Sequence, residues 1–359
     1  NRECYDPEII ERDLAWLQSA GVSVVSAIAG IEPPNPDDPA GYRDQLDFLD
    51  RCLRHGIRCY FTVPYGRAYA GADFARIKDY IEKAGLRDHP AIMCWELAWE
   101  PIEGAWNKDL EKLGPDWNRW LVERYGSVEH ALTDWGFDPR PSPEKPVPAP
   151  TMEQCMNSGP WNRYVAAFTR AFSDLISRAY GKVIRPLRAW DPNHLISFRG
   201  GACGIPSGAV FAHIHSVGVA RHLDFLSPEG YNLQTGGWAV PTPADEIRKG
   251  GLVTLYYRHV SQEKPVVWLE FGFTVNGFGE AWTPARFRVR PAELENQRIE
   301  VEHFYSMIIE SGSRGAAPWW FPGGFRLGEN SDFGFVEPDG SERPVCSVFK
   351  AYQPRFASV

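Results

Sequence analysis

The chain alternates helices and strands over most of its length, in a repeat of amphipathic helix, glycine-containing turn and apolar strand. In the first cycle, a helix over residues 7–20 has Asp6 as its N-cap and Pro7 in its first turn, and it ends at Gly21. A strand over residues 22–29 follows. Strands that alternate with helices form parallel sheets. The sequence therefore predicts an α/β fold around one parallel sheet.

Seven apolar segments have the length and composition of buried strands. They lie at residues 22–29, 57–63, 91–99, 194–198, 223–231, 266–271 and 316–321. This many strand–helix units predict a closed (β/α)8 barrel, the TIM barrel. Because such a barrel has eight strands, we expect the first strand to lie upstream of Asn1. The alternative is a barrel that is built differently.

The repeat is interrupted between residues 101 and 160. Two short helices are predicted there, over residues 109–125 and 127–135, and a proline-rich stretch follows over residues 139–150. An ordinary connection between a strand and a helix is much shorter. The sequence thus predicts a helical insertion after strand 4, which is the third strand found here. A long helix over residues 161–180 resumes the pattern, and residues 1–359 are predicted to form a single catalytic domain.

Charge and composition exclude several classes of partner. The net charge of −8 at pH 7 disfavours nucleic acid and anionic membranes, and no apolar run reaches the roughly 18 residues of a membrane span. The seven cysteines form no CxxC pair, which disfavours a zinc site and a complete disulfide framework. We expect a cytoplasmic protein without metal or cofactor, and secretion with removal of a signal is the alternative. The oligomeric state is left open.

Two glutamates end apolar strands, and they are the candidate catalytic residues. Glu100 closes the run CWELAWE at residues 94–100, and Glu270 closes the run PVVWLE at residues 265–270. A carboxylate at the end of a buried strand is costly to place near a core, so it indicates a role beyond packing. In a barrel the carboxyl ends of the strands meet at one face, where the active site lies. The pair therefore predicts acid–base or nucleophilic chemistry.

The two glutamates receive different roles. Glu100 is predicted to be the general acid and then the general base, with an apolar wall from Trp95, Trp99 and Trp106. Glu270 is predicted to be the nucleophile, which must stay ionised and needs hydrogen-bond donors around it. Alternation along the strand places residues 96, 98 and 100 on the barrel side.

The candidate substrate-binding residues lie beside these two glutamates in the sequence. Glu96 is included among them, with a buried structural acid as the alternative reading of that residue. Of the adjacent pair Trp319 and Trp320, one ring is expected to face the barrel, and Trp319 is preferred. The substrate-binding set is Glu96, Trp99, Tyr231, Asn232, Trp319 and Trp320.

Both glutamate segments resemble clan A of the glycoside hydrolases, the retaining (β/α)8-barrel enzymes. The run WELAWEP at residues 95–101 resembles the W-E-L-x-N-E-P signature of family 5 mannanases, and KPVVWLEFG at residues 264–272 resembles the nucleophile strand of the clan. The run WNRWLVERYGSVEHALTDWG at residues 117–136 is similar to a helix pair of family 42 β-galactosidases. The resemblance implies a retaining β-glycosidase with Glu100 as acid/base, Glu270 as nucleophile and Trp319 under the first sugar.

The resemblance departs from the family 5 pattern at three positions. Trp99 stands where the family has an asparagine that binds the sugar 2-hydroxyl, and Ser26 stands at the match of an arginine near the nucleophile. The sixth-strand H-x-Y motif is replaced by Glu229-Gly230-Tyr231, which keeps only the tyrosine.

The sequence thus predicts a retaining β-glycosidase that hydrolyses β-linked glycosides or short oligosaccharides of mannoside, glucoside or galactoside type by double displacement. Its predicted partner is a carbohydrate substrate. A first alternative is a non-catalytic carbohydrate-binding protein on a glycosidase scaffold. A second alternative is a metal-dependent hydrolase, suggested only by the pair His213 and His215, and a loop or core role is preferred for these two histidines.

Overall fold

The strands of the main sheet all run in the same direction. The computed structural model describes residues 5–27, 39–63, 73–99, 106–200, 218–231, 243–275, 291–328 and 331–356. Its parallel strands are β1 (Val24–Ala27), β2 (Arg58–Thr62), β3 (Ile92–Trp99), β4 (Leu195–Gly200), β5 (Ser227–Pro228), β6 (Trp268–Phe271) and β7 (Ala316–Pro318). A short antiparallel hairpin follows, formed by β8 (Phe325–Arg326) and β9 (Ser331–Asp332).

The strands pair in chain order and curl into a barrel. Strands β1 to β5 form one sheet in the order β1-β2-β3-β4-β5, and β6 pairs with β7. Parallel bridges between Leu226 and Val266 and between Glu229 and Glu270 join the two sets. Strands β1 and β7 come within 8 Å of each other, Cα to Cα. Parallel strands in this order, alternating with helices, confirm the predicted (β/α) barrel.

The helices confirm most of the predicted pattern. They are α1 (Pro7–Ser19), α2 (Pro39–Arg54), α3 (Phe74–Lys83), α4 (Trp106–Tyr125), α5 (Val128–Trp135), α6 (Met152–Met156), α7 (Asn162–Trp190), α8 (Pro243–Val260), α9 (Pro291–Glu310) and α10 (Cys346–Phe356). The carboxylate of Asp6 accepts hydrogen bonds from the backbone N–H groups of Glu8 and Ile9, so it caps α1 as expected. None of the described helices has both the length and the apolarity that a membrane span requires.

The barrel has an outer core and a small inner cluster. The outer core lies between the sheet and the surrounding helices, and it includes Phe61, Trp95, Ile176, Trp268 and Phe304. The inner cluster consists of the buried residues Tyr60, Cys94, Phe225 and Leu269. Successive residues of a strand point to opposite sides, so Tyr60 and Phe61 belong to different cores. Burial on both sides explains why these strands read as continuous apolar runs.

The insertion after β3 has an aromatic core of its own. Helices α4 and α5 and the first turns of α7 bury a cluster that we call the insertion core: Trp117, Trp120, Leu121, Ala131, Trp135, Val147, Tyr164, Ala167, Phe168 and Ala171. The proline-rich stretch is fixed to it by side chains, because the carbonyl of Pro148 accepts hydrogen bonds from Trp117 Nε1 at 3.2 Å and from the Tyr164 hydroxyl at 2.6 Å. The helical insertion predicted from the interrupted repeat is therefore present.

The structure differs from the sequence prediction at several elements. Helix α7 continues to Trp190 instead of ending at Tyr180, because its buried side continues through Val183, Ile184 and Leu187. Strand β5 is only two residues long, whereas a strand was predicted over residues 223–231. The hairpin of β8 and β9 and helix α10 were not predicted, because neither has a long apolar period.

Candidate functional site

Glu270 lies at the carboxyl edge of the barrel, where the strand ends converge. It is the third residue of β6, and only 4% of it is exposed. Its backbone carbonyl accepts a hydrogen bond from Gly230 N–H at 2.7 Å, which ties β6 to the end of β5. Position 230 requires glycine, because a Cβ atom there would lie 2.2 Å from the Phe304 ring. This close packing sets the approach of Tyr231 to Glu270.

Three side chains donate hydrogen bonds to the Glu270 carboxylate. Arg199 Nη1 and Trp99 Nε1 donate to Oε2, at 2.6 Å and 3.2 Å, and the Tyr231 hydroxyl donates to Oε1 at 3.1 Å. Donors of this kind stabilise the charged form of a carboxylate, and a cationic donor does so most strongly. The three donors hold the Glu270 carboxylate in one orientation. The structure brings the sequence-predicted residues Trp99 and Tyr231 to this carboxylate.

Arg199 at the end of β4 is the charged centre of the site, and the sequence interpretation missed it. Its guanidinium is 1% exposed and uses all three nitrogens: Nη1 binds Glu270, Nε binds Glu96 Oε1 at 2.9 Å, and Nη2 donates to the Ser26 hydroxyl. Burial alone would lower the pKa of Arg199, but the negative charges of Glu96 and Glu270 outweigh it and raise the pKa. Arg199 therefore remains a cation beneath the site.

Arg199 on β4 also contacts Ser26, the residue at the position where the family pattern has an arginine. The resemblance matched a family arginine with Ser26, and the hydroxyl of Ser26 on β1 now accepts a hydrogen bond from Arg199. A signal was present in the sequence, since Arg199 is a charged residue in the strand LISFRG, which is otherwise apolar or small. A buried arginine needs acidic partners, so its position alone suggested a link to the strand-end glutamates.

Glu96 is one of the predicted substrate-binding residues, and the structure buries it beside Arg199. It is completely buried, and both carboxylate oxygens are occupied, Oε1 by Arg199 and Oε2 by the hydroxyl of Thr62. Burial raises the pKa of Glu96, and the nearby charge of Glu270 contributes in the same direction, although Arg199 opposes both. The alternative interpretation, a buried and hydrogen-bonded acid behind the site, agrees with this geometry.

An irregularity in β3 explains why Trp99 reaches Glu270. The register between β3 and β4 shifts between Glu96 and Trp99, so both residues face Arg199 although they are three positions apart. Ala98 packs in the outer core, which corrects the prediction that it lines the barrel. Trp95 also lies in the outer core, where its indole N–H donates to Asp191 at 2.7 Å. Trp95 therefore cannot form part of an apolar wall around the site.

A group of three neighbouring indoles lies beside Glu270. The ring of Trp319 is 6.4 Å from that of Trp99 and 5.3 Å from that of Trp320, centroid to centroid, and the Arg326 guanidinium lies 5.2 Å from the Trp319 ring. The prediction that Trp319 and Trp320 face opposite ways is wrong, because β7 already ends at Pro318 and strand alternation no longer applies. Trp319 lies next to the site, as preferred from the sequence.

Several sequence-predicted residues fall outside the described ranges. Glu100, Asn232, His213 and His215 belong to this group, and the side chain of Trp106 does as well. Their predicted roles stay predictions. Within the described ranges, no group of three or more His, Cys, Asp or Glu side chains is arranged to hold a metal ion.

Comparison with solved structures identifies the fold class. No family model matches the sequence, and no curated protein matches it. The GH42 β-galactosidase Gan42B of G. stearothermophilus matches 99% of this chain and 55% of its own, with a TM-score of 0.66 and 17% identity. A β-galactosidase of Halorubrum lacusprofundi matches 99% of this chain and 57% of its own, with a TM-score of 0.64 and 15% identity.

A third match broadens this comparison beyond β-galactosidases. An endo-β-1,4-mannanase of Thermotoga petrophila covers 98% of this chain and 74% of its own, with a TM-score of 0.51 and 13% identity. The chain spans a little over half the length of the β-galactosidases it matches. At these identities the likeness shows the fold alone: the protein has a (β/α) barrel like those of these glycosidases, as expected from the sequence.

Proposed function

We propose that the protein is a retaining β-glycosidase, with Glu270 as nucleophile and Glu100 as acid/base. The observation that carries this proposal is the Glu270 carboxylate, which is buried at the carboxyl edge of a glycosidase barrel and receives hydrogen bonds from Arg199, Trp99 and Tyr231. A Glu270 carboxylate with a purely structural role would need only one partner, such as Arg199. Three convergent donors fit a carboxylate that must stay ionised and correctly oriented.

In the proposed reaction, a Glu270 oxygen attacks the anomeric carbon of the sugar, and the bond from that carbon to the leaving-group oxygen breaks. Glu100 gives its proton to this oxygen, and the sugar stays attached to Glu270 as an ester. Water then attacks the anomeric carbon, Glu100 takes a proton from this water, and the ester bond breaks to restore the Glu270 carboxylate. Retention requires the two carboxyl groups to lie about 5 to 5.5 Å apart.

The substrate class follows from the walls of the site. Trp99, Trp319 and Trp320 provide aromatic surface beside Glu270, and aromatic side chains commonly line pockets for neutral, partly apolar ligands such as sugar rings. We propose β-linked mannosides, glucosides or galactosides, as monosaccharide glycosides or short oligosaccharides. We also propose that residues 1–359 act as a single catalytic domain. The matched structures include β-galactosidases and an endo-β-1,4-mannanase, which fits this range of sugars.

The test is a panel of aryl β-glycosides with the wild-type protein and the variants Glu270→Ala and Glu100→Ala. The proposal expects hydrolysis of at least one glycoside by the wild type and its loss in both variants. Added azide should restore turnover, because it replaces the missing carboxylate as nucleophile in Glu270→Ala and needs no base in Glu100→Ala. The azide product should have the α configuration with Glu270→Ala and the β configuration with Glu100→Ala.

A matched control is Glu263→Ala, which removes an exposed glutamate seven positions before Glu270. Its activity should equal that of the wild type. If the wild type cleaves no glycoside of the panel, or if Glu270→Ala keeps wild-type activity, the proposal is wrong. An inverted product from the wild type would replace the retaining mechanism by an inverting one.

The non-catalytic carbohydrate-binding protein remains a second candidate because of Trp99. Its indole N–H is its only polar group and donates to Glu270, and its ring fills space beside the carboxylate. A protein that only binds sugars should show titratable heat with oligosaccharides in calorimetry, no hydrolysis over days, and unchanged affinity in the Glu270→Gln variant.

A further inference from the structure

Among the described residues, Arg199 is a buried cation that pairs directly with two buried carboxylates. Arg199 is paired with Glu270 through Nη1 at 2.6 Å and with Glu96 through Nε at 2.9 Å. The exposed fraction of each of these three side chains is 5% or less. Buried charges of this kind need partners, because water cannot screen them. Glu270 alone would neutralise Arg199, so the second carboxylate needs an explanation.

The explanation lies in the change of charge that the proposed reaction imposes on Glu270. When Glu270 forms an ester with the sugar, the departing oxygen takes a proton from Glu100, so the negative charge passes from Glu270 to Glu100. Glu270 is then neutral, and it no longer balances Arg199. Without Glu96, the covalent intermediate would contain a buried guanidinium whose ion pair with Glu270 has been lost, which is unfavourable.

We propose that Glu96 is the permanent counter-ion of Arg199, and that it stabilises the glycosyl-enzyme during the interval in which Glu270 carries no charge. This inference rests on the proposed function. Glu96 acts as a positioning residue, since it touches Arg199 and Thr62 and lies completely out of reach of a substrate.

The surroundings of Glu96 fit this role. Burial is the main cause that raises the pKa of Glu96, and the negative charge of Glu270 raises it further. Loss of the Glu270 charge on ester formation removes this second contribution, so the intermediate favours an ionised Glu96. The Thr62 hydroxyl donates to the other oxygen of Glu96 and leaves Oε1 directed at Arg199.

The experiment compares formation of the covalent intermediate in the wild type and in Glu96→Gln. The probe is a set of 2,4-dinitrophenyl 2-deoxy-2-fluoro-β-glycosides (glucoside, mannoside and galactoside), whose fluorine slows both chemical steps and whose leaving group needs no proton. Intact-protein mass spectrometry gives the rate of adduct formation on Glu270 and the rate of its decay. In Glu96→Gln, adduct formation should be about 100-fold slower, and an adduct that does form should decay faster than in the wild type.

The design includes a second variant and a matched control. Thr62→Val removes the hydroxyl that orients Glu96 but keeps its charge, so adduct formation should slow by less than about 10-fold. Asp332→Asn breaks another buried carboxylate–arginine pair, with Arg343 at 2.8 Å, which includes none of the residues Arg199, Glu96 and Glu270. It should lower thermal stability and leave the rates of adduct formation and decay unchanged. The control thus separates the general effect of losing a buried ion pair from the specific effect of losing Glu96.

The outcomes distinguish a failure of the counter-ion role of Glu96 from a failure of the proposed glycosidase function. Equal rates of adduct formation in folded Glu96→Gln and wild type overturn the counter-ion role alone. Slower formation together with slower decay also overturns it, because that pattern indicates general damage to the site. If the wild type forms no adduct with any probe, the proposed glycosidase function fails, and the counter-ion role fails with it. If Glu96→Gln does not fold, an unchanged rate in Thr62→Val overturns the role.

Discussion

Two buried clusters of this protein are held together by different forces. At the carboxyl edge of the barrel, Arg199, Glu96 and Glu270 form a charged cluster with hydrogen bonds between 2.6 and 2.9 Å along its ion pairs. In the insertion core, Trp117 packs against Trp120 and Phe168 with ring centroids 5.8 and 5.3 Å apart. Burial of aromatic rings stabilises the fold directly. For buried charges, the attraction between the ions roughly equals the free energy that is lost when they leave water.

The comparison teaches where stability and chemistry are located. We expect substitutions in the charged cluster to change activity far more than the free energy of unfolding. Substitutions in the insertion core should have the opposite effect. The following predictions test that separation.

The largest expected effect is the loss of activity in Glu270→Gln. Glutamine keeps the shape of the side chain but cannot act as a nucleophile, so kcat on the best aryl glycoside should fall by about 10⁴-fold or more. The midpoint of thermal unfolding should stay the same or rise, because one buried carboxylate is removed. Glu263→Gln, on an exposed position, serves as the control. A Glu270→Gln variant that unfolds at much lower temperature would contradict the separation.

The next largest effect should be the loss of stability in Trp117→Ala. Trp117 is 1% exposed and lies in the middle of the insertion core, so its removal should lower the free energy of unfolding by about 3 to 5 kcal/mol. Urea denaturation measures this change, and kcat/KM of the folded variant should stay within about threefold of the wild type. Val122→Ala, at a half-exposed position of the same helix, should change stability by less than about 0.5 kcal/mol.

A smaller loss of activity is expected for Arg199→Lys. Lysine keeps the positive charge but cannot bind Glu96, Glu270 and Ser26 at once through a planar fork. Activity should fall by about 100-fold, with most of the change in kcat. Arg178→Lys, which alters an exposed pair with Glu123, should have no effect on either parameter. Full activity of Arg199→Lys would show that only the charge matters at this position.

The smallest effect should be the change in stability of Glu96→Gln with pH. The pKa of Glu96 is raised in the folded protein, mainly by burial, so folding favours its protonated form. That contribution is complete below the pKa of the unfolded chain, about 4.3, and is lost as the pH rises through the folded value. Glutamine is neutral throughout, and Arg199 keeps Glu270 as its partner.

The variant should therefore match the wild type near pH 4 and should be as stable or up to about 1 kcal/mol more stable at pH 7. Urea denaturation at a series of pH values measures the difference. A wild type that is more stable than Glu96→Gln at pH 7 by several kcal/mol would assign Glu96 to the stability of the fold.

The sequence predicts the local parts of this structure well, and the long-range parts less well. Strand β3 begins one residue after its predicted start, and Asp6 caps α1 as expected, because apolar runs and capping residues act over a few positions. The approach of Tyr231 to Glu270 follows from parallel strands that end at one edge.

The parts that were missed depend on register between distant strands. Arg199 lies 71 residues from Glu270 and 173 residues from Ser26 along the chain, and only the pairing of strands brings them together. The irregularity between Glu96 and Trp99 reverses the side to which later residues of β3 point, so simple alternation placed Ala98 wrongly. No local pattern in the run WELAW records this shift.

Helix α7 connects the insertion core with the outer core of the barrel. Its 29 residues, roughly 43 Å of helix, contribute Tyr164 and Phe168 to the insertion core and Phe172 and Ile176 to the outer core of the barrel. Neither core can come apart without exposing one end of a helix that the other still holds. The insertion and the barrel are thereby coupled in folding, so the insertion should melt cooperatively with the barrel instead of opening as a separate unit.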